Sequence, residues 1–158
     1  KDVRPTESVD LGEIITDEVA AAGDPRVTVA WNDDPPVVAA DERTVARVVR
    51  NLLDNARRHA RDTIRISCSS TAGTVQLEVE DDGEGVPEAS RDRIFDRFTR
   101  LDEARAREAG GSGLGLSIVR AAVEDLGGAV SVGDSVLGGA RFTVAIPTAD
   151  TVAPQAGQ

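Results

Sequence analysis

The chain has 158 residues, 40% of them hydrophobic and 29% charged, the balance of one globular domain with a real core rather than of a disordered polymer. Its net charge of −10 argues against a nucleic-acid partner, which needs a basic footprint. No apolar run approaches the length of a membrane span and no charged-then-apolar signal segment opens the chain, so this stretch is expected neither to contact a membrane directly nor to be exported by itself.

Residues 1–9 read as a linker. In "DLGEIITDEVAAAG" Asp10 and Glu13 stand at capping-box spacing and Gly23 supplies a stop, so a helix is expected between them. "RVTVAW" (26–31) alternates as a strand does, "DDPP" (33–36) turns the chain, and "VVAA" (37–40) is a short strand. Asp41 is placed to cap a second helix that runs through "RVVRNLLDNARRHA" (47–60), where Val48, Val49, Leu52, Leu53 and Ala56 make an apolar stripe. Beside that stripe stand Asn51 and Asn55, four residues apart and therefore on one side of the helix. Asparagine is a mediocre helix former because its amide competes for backbone hydrogen bonds. Two solvated polar residues would account for the pair, and so would two amide oxygens offered to a hard cation such as Mg²⁺.

"DTIRISCSS" (62–70) and "TVQLEVED" (74–81) read as a hairpin around Ala72-Gly73, with Ile64 and Ile66, then Val75, Leu77 and Val79, on one face each. The lone cysteine, Cys68, has no disulfide partner and reads as a small hydrophobe in a strand, which suits a reducing compartment. Residues 83–102 hold a loop and a short helix with Ile94, Phe95 and Phe98 on its apolar side. Residues 103–113 lack a steady apolar period, 114–128 form an amphipathic helix with a glycine stop, and "AVSVGD" (129–134) and "ARFTVAIP" (140–147) pair over "SVLGG". A disordered tail is expected over 148–158. Three main helices with five or six strands give an α+β fold, a two-layer sandwich of helices on a mixed sheet.

Two glycine clusters point to a ligand. "DDGEG" (81–85) ends a strand, and "GGSGLGLSIV" (110–119) runs straight into a helix, whose N-terminus favours an anion such as phosphate. The second is neither a Walker loop, since no Gly-Lys-Ser/Thr follows, nor the dinucleotide fingerprint, since its spacing is Gly-x-Gly-x-Gly. The first lacks the register of a calcium loop. A carboxylate at a strand's end, as Asp81 is, can be partly buried and then needs a donor, for which a purine's exocyclic amino group would serve. A plain strand-ending turn explains the same residues.

The order of these stretches resembles the boxes of the sensor histidine kinase ATP-binding domain: "NLLDNARRHA" its N box, "DDGEG" its first glycine box, "IFDRF" its F box and "GGSGLGLSIV" its second. The resemblance covers residues 8–147. It implies the Bergerat ATP-binding fold, shared with Hsp90, gyrase B, MutL and the anti-sigma kinases, over a domain at 10–147. ATP and Mg²⁺ are the implied ligands. Residue by residue, Asn55 is similar to the magnesium-binding asparagine and Asn51 to the asparagine one turn earlier that helps hold phosphates. Arg58 takes the basic position that reaches the phosphates, His59 a position near the nucleotide, and Asp81 that of the acceptor for adenine's amino group. Gly83 and Gly85 would let the chain pass close to the base. Arg100 and Arg105 are similar to lid arginines near the terminal phosphate. Gly111, Gly113, Leu114, Gly115 and Leu116 match the end of the lid and the phosphate-facing helix start, so residues 100–113 would be a mobile ATP lid.

ATPases of this fold such as gyrase B carry a glutamate where this chain has Asn51, and an amide cannot take a proton from water. The resemblance therefore implies a kinase that holds the γ-phosphate for a histidine on a separate dimerisation domain, for relay to a response-regulator aspartate. The parent protein would be membrane-anchored, with this domain in the cytoplasm. An anti-sigma kinase that phosphorylates serine, and a nucleotide-gated interaction module without phosphotransfer, are the competing readings.

Overall fold

A computed structural model describes residues 7–31, 36–96 and 115–148. The longest helix organises the rest. Helix α2 (Glu42–His59) begins where the Asp41 carboxylate accepts from the Thr44 main-chain N–H and hydroxyl at 3.2 and 2.9 Å. Its stripe of Val45, Val48, Val49, Leu52, Leu53 and Ala56 is at most 2% exposed. Each such aliphatic side chain contributes about 1.5–3 kcal/mol by leaving water, and cutting Leu52 or Leu53 to alanine would cost about 2–5 kcal/mol. Helix α1 (Leu11–Ala22), capped by Asp10 and stopped by Gly23 at φ 61°, buries Leu11, Ile14 and Ile15. Helix α3 (Gly115–Asp125) buries Leu116, Val119, Ala122 and Val123.

These helices cover one face of a five-stranded sheet. Strands β2 (Val27–Trp31), β4 (Ile64–Thr71), β5 (Thr74–Asp81), β6 (Ala129–Asp134) and β7 (Ala140–Pro147) lie in the order β2-β4-β5-β7-β6, parallel only between β2 and β4. Strand alternation sends Ile64, Ile66, Val75, Leu77, Val79, Phe142, Val144 and Ile146 into the core, as their 0–3% exposure records. The β4–β5 hairpin turns at Ala72 and Gly73, both at positive φ. The fold is thus the expected α+β sandwich of helices on a mixed sheet. Among the described residues no helix is long and apolar enough to cross a membrane.

Three details depart from the sequence reading. "VVAA" does not join the main sheet: β3 (Val37–Ala40) pairs antiparallel with β1 (Glu7–Asp10), a strand inside the segment that reads as a linker, where Val9 is 5% exposed. The expected short helix after residue 83 is two 3₁₀ turns, Glu88–Ser90 and Arg93–Phe95, which still bury Ile94 and Phe95. Phe98, the 103–113 stretch and the 149–158 part of the expected tail lie outside the described residues.

The last turn of α2 is held by charge. Arg26, just before β2, donates to the carbonyls of Ala60 and Arg57 at 3.0 and 3.1 Å, satisfying acceptors that the helix leaves open and placing a cation at its negative end. Asp24 orients that guanidinium through bonds of 3.0 and 2.7 Å and also takes Arg57 at 3.2 Å. The hydrogen bonds from Arg26, more than any other contact, hold the Asp24 carboxyl well below the usual range. Asp82 closes the same corner: although burial acts against its charge, the main-chain N–H groups of Arg61 and Asp62 keep its carboxyl below the ordinary value.

Candidate functional site

This corner fixes the end of α2 against the end of β5, and a cleft of about 370 Å³ opens between them. Asn55, Arg58, His59, Asp81, Gly85 and Val86 line it, with Phe142 adding an aromatic surface. Asn55, His59, Asp81 and Gly85 come together as the sequence predicts, and Arg58 stands at the exposed side.

Asp81 is 2% exposed and its carboxylate is divided in use. Oδ1 accepts from the Gly83 N–H at 2.9 Å and the Ala140 N–H at 3.3 Å. Oδ2 meets no donor among the described residues and belongs to a side chain that lines the cleft. A buried carboxylate oxygen with no partner is costly unless a ligand supplies the donor. The structure thus offers a single acceptor of fixed direction, which suits an amino group and repels a carbonyl.

Asn55 is 4% exposed, and its amide has no hydrogen-bond partner among the described residues. That orphaned amide fits Mg²⁺, whose usual site is one or two protein oxygens with the remaining ligands from phosphate and water. No three His, Cys, Asp or Glu side chains gather around a common point among the described residues, so an all-protein cage is not the arrangement there. Arg58 makes no ion pair among the described residues and stands free to meet an anion.

Asn51 is not a wall of the cleft. It lies one turn earlier, its Nδ2 donating to the Arg47 carbonyl at 3.0 Å, and its Oδ1 would sit 3.4 Å from a Cβ added to Gly115. That is ordinary contact, so the start of α3 lies beside α2 at Asn51 without requiring a glycine there. Leu116 is 6% exposed and its side chain joins the apolar core rather than the cleft. Arg100, Arg105, Gly111, Gly113 and Leu114 lie outside the described residues.

The glycines of "DDGEG" serve the protein first. A Cβ on Gly83 would stand 2.1 Å from the His59 carbonyl oxygen, so the close packing of α2 itself requires a bare residue here. Gly85 has φ 78°, a conformation that L side chains rarely adopt. A third glycine, Gly139, reads in the sequence only as part of a hairpin turn. Its Cβ would fall 2.3 Å from Asp81 Oδ1 and 2.5 Å from the Gly83 nitrogen, and its N–H donates to the Asp81 carbonyl at 3.1 Å. The doubled glycine in "SVLGG" is the available signal for it.

Comparison with known proteins identifies the family and the fold. Residues 40–150 match the family described as histidine kinase-, DNA gyrase B-, and HSP90-like ATPase. The sensor protein RstB of Escherichia coli is 44% identical over 109 residues, which are 69% of this chain and 25% of RstB. The chain spans about a quarter of the length of the first curated relatives it matches. Among solved structures, full-length ShkA in complex with AMPPNP superposes with a TM-score of 0.76 at 29% identity, covering 92% of this chain and 32% of that one. The ATP-binding domain of PrrB from Mycobacterium tuberculosis gives 0.73 at 26%, covering 92% and 98%.

Proposed function

The chain belongs to the histidine kinase-, DNA gyrase B- and HSP90-like ATPase family, and from that premise we propose that it is the ATP-binding catalytic domain of a two-component sensor histidine kinase. The observation that carries this reading is the pairing, in one cleft, of a buried carboxylate oxygen on Asp81 and a buried amide on Asn55, neither with a hydrogen-bond partner among the described residues. The first takes adenine's amino group and disfavours guanine, which presents a carbonyl there. The second would hold Mg²⁺, which when bound neutralises and bridges the phosphates. Val86 and Phe142 give the base an apolar surface, and Arg58, without an ion-pair partner among the described residues, meets the phosphates. His59 stands at the nucleotide's edge. Gly83 and Gly85 shape the turn beneath the base, and Asn51, with Gly115 and Leu116, marks where the phosphate-facing start of α3 meets α2. By the resemblance we assign Arg100, Arg105, Gly111 and Gly113 to a lid over about 100–113 and Leu114 to the phosphate-facing helix start, all of them outside the described residues.

Asn51 decides the fate of the bound nucleotide. With an amide where an ATPase needs an acid, water is not deprotonated, and the γ-phosphate waits for a better nucleophile. The chain's one histidine, His59, lines the cleft itself and is poorly placed to be that acceptor. The acceptor is a histidine on the kinase's own dimerisation domain, from which phosphate passes to a response-regulator aspartate. In this reading the catalytic domain spans residues 10–147 together with strand β1 and Thr148, whose N–H donates to the Gly73 carbonyl at 2.9 Å, and it lies on the cytoplasmic side of a membrane-anchored kinase that has no nucleic-acid partner.

The test is transfer of label from [γ-³²P]ATP by this chain to a purified helical hairpin carrying the acceptor histidine. Acid-labile, base-stable label on the hairpin is expected, with slow release of free phosphate when the hairpin is omitted. Label on serine would favour the anti-sigma reading. Nucleotide binding with no transfer would favour the interaction module.

A further inference from the structure

Adjacent residues of β5 face opposite sides of the sheet, and both grip the same loop. Asp81 faces the cleft. Glu80 faces away, is only 3% exposed, and spends its two oxygens on different partners: Oε2 accepts from Arg65 at 2.8 and 3.2 Å, and Oε1 accepts from the Ser135 hydroxyl at 2.8 Å. Ser135 is itself 8% exposed, and its Oγ also accepts from the Leu137 N–H at 2.9 Å, so donor and acceptor sides are both engaged. The segment 135–139 closes on itself through Ser135 N–H to Gly139 carbonyl at 2.9 Å and Gly138 N–H to Ser135 carbonyl at 3.0 Å. Its far end then holds Asp81: the Gly139 N–H reaches the Asp81 carbonyl and the Ala140 N–H reaches Oδ1.

We propose that Ser135, anchored by Glu80, is a positioning residue for base recognition: through the 135–139 loop it aims the Asp81 carboxylate and so sets the preference for adenine over 6-oxopurines. The inference rests on the adenine-reading role given to Asp81 above. A carboxylate turns freely about its last bond unless one oxygen is pinned, and only a pinned Oδ1 leaves Oδ2 pointing at one place in the cleft. The N–H groups that pin it come from Gly83, within its own turn, and from Ala140, at the end of the loop that Ser135 begins. With the Ser135 hydroxyl removed, the loop loses its tie to Glu80, Ala140 shifts, and the acceptor facing the base loses its direction. Adenine recognition then weakens while contacts to the phosphates stand.

The experiment measures dissociation constants of Mg·ADP and Mg·IDP, which differ at the purine 6-position by amino against carbonyl, for the wild type, Ser135→Ala, Ser135→Thr and Glu80→Gln. Ile15→Val, which loosens the core under α1 far from the loop, is the destabilised control. Ser135→Ala is expected to weaken ADP by about fivefold to tenfold, the worth of one well-made hydrogen bond, with IDP changed by less than about twofold. Ser135→Thr keeps the hydroxyl and should restore the preference, and Ile15→Val should leave the ratio as in the wild type. Glu80→Gln weakens the same tie, should narrow the ratio in the same direction, and carries the test if Ser135→Ala does not fold. A folded Ser135→Ala or Glu80→Gln protein with the wild-type ADP-to-IDP ratio, or with equal losses for both nucleotides, would overturn the proposal. Failure of the wild type to bind ADP would remove the role of Asp81 itself.

Discussion

The two walls of the cleft are built on opposite plans. On the β5 side Asp81 is locked: Oδ1 is held by two main-chain N–H groups and the carbonyl by a third, and Gly139 lies where no side chain could fit. On the α2 side Asn55 and Arg58 have no partners among the described residues. In the proposed reading the difference matches the part of the nucleotide that each wall would meet. A base is rigid and is told from other bases by the direction of one hydrogen bond, so its acceptor must be fixed beforehand. A phosphate chain with a metal is flexible and strongly charged, so groups facing it need only be present and unspent. Rigidity is placed where specificity is read, and free valence where charge is held.

The comparison breaks most sharply at Asp81. Asp81→Asn must turn its NH₂ either toward the N–H groups of Gly83 and Ala140 or toward the ligand's amino group, and both choices set donor against donor. Affinity for adenine nucleotide should fall about 100-fold, measured by calorimetry on a variant whose circular dichroism matches the wild type. Gly139→Ala attacks the lock rather than the acceptor. With a Cβ inside contact distance of Asp81 Oδ1 and the Gly83 nitrogen, it should lower unfolding free energy by about 2–3 kcal/mol in urea titration and weaken nucleotide binding as well. On the other wall the two effects should separate. Asn55→Ala should cost about tenfold in Mg²⁺-dependent affinity, yet hold or raise stability by about 0.5 kcal/mol, because it removes a buried amide without a partner among the described residues and adds a better helix former.

The smallest effect concerns the corner that joins the walls. Arg26→Ala leaves the Ala60 and Arg57 carbonyls without their donor and should lower the melting temperature by about 2–4 °C at pH 7. It also changes the acid limb. A carboxylate whose folded value is depressed stabilises the fold above its ordinary value of 3.8, and that contribution drains away as pH falls toward the folded value. Thermal melts of the wild type should therefore lose stability steeply below about pH 4, and Arg26→Ala, which leaves Asp24 only its weaker partner Arg57, should show a shallower loss.

The same contrast explains how much of the site is legible in the sequence. The α2 wall is legible because a helix announces its faces: the stripe at Val48, Val49, Leu52, Leu53 and Ala56 fixes where Asn51 and Asn55 must point. Asp81 is legible as the last residue of an alternating strand. The features that escape depend on residues far apart in the chain. Gly139 and Ser135 look like turn chemistry until β7 is laid beside β5, and Glu80 looks like one more solvated strand acid until the loop covers it. Strand β1 escapes for the same reason, since "ESVD" has one apolar residue and becomes a strand only through pairing with "VVAA". Gly83 stands out in the sequence, but its packing against the α2 carbonyl of His59, 24 residues earlier, is not legible there.

The central claim is that the cleft between α2 and β5 binds ATP through a metal held at Asn55 and a base read by Asp81. It is tested most directly by calorimetric titration of this chain with a non-hydrolysable ATP analogue, with Mg²⁺ and with EDTA in its place. The account predicts saturable binding with one site per chain, weakened at least about tenfold when the metal is withdrawn. A folded chain that takes up no nucleotide under either condition would contradict it.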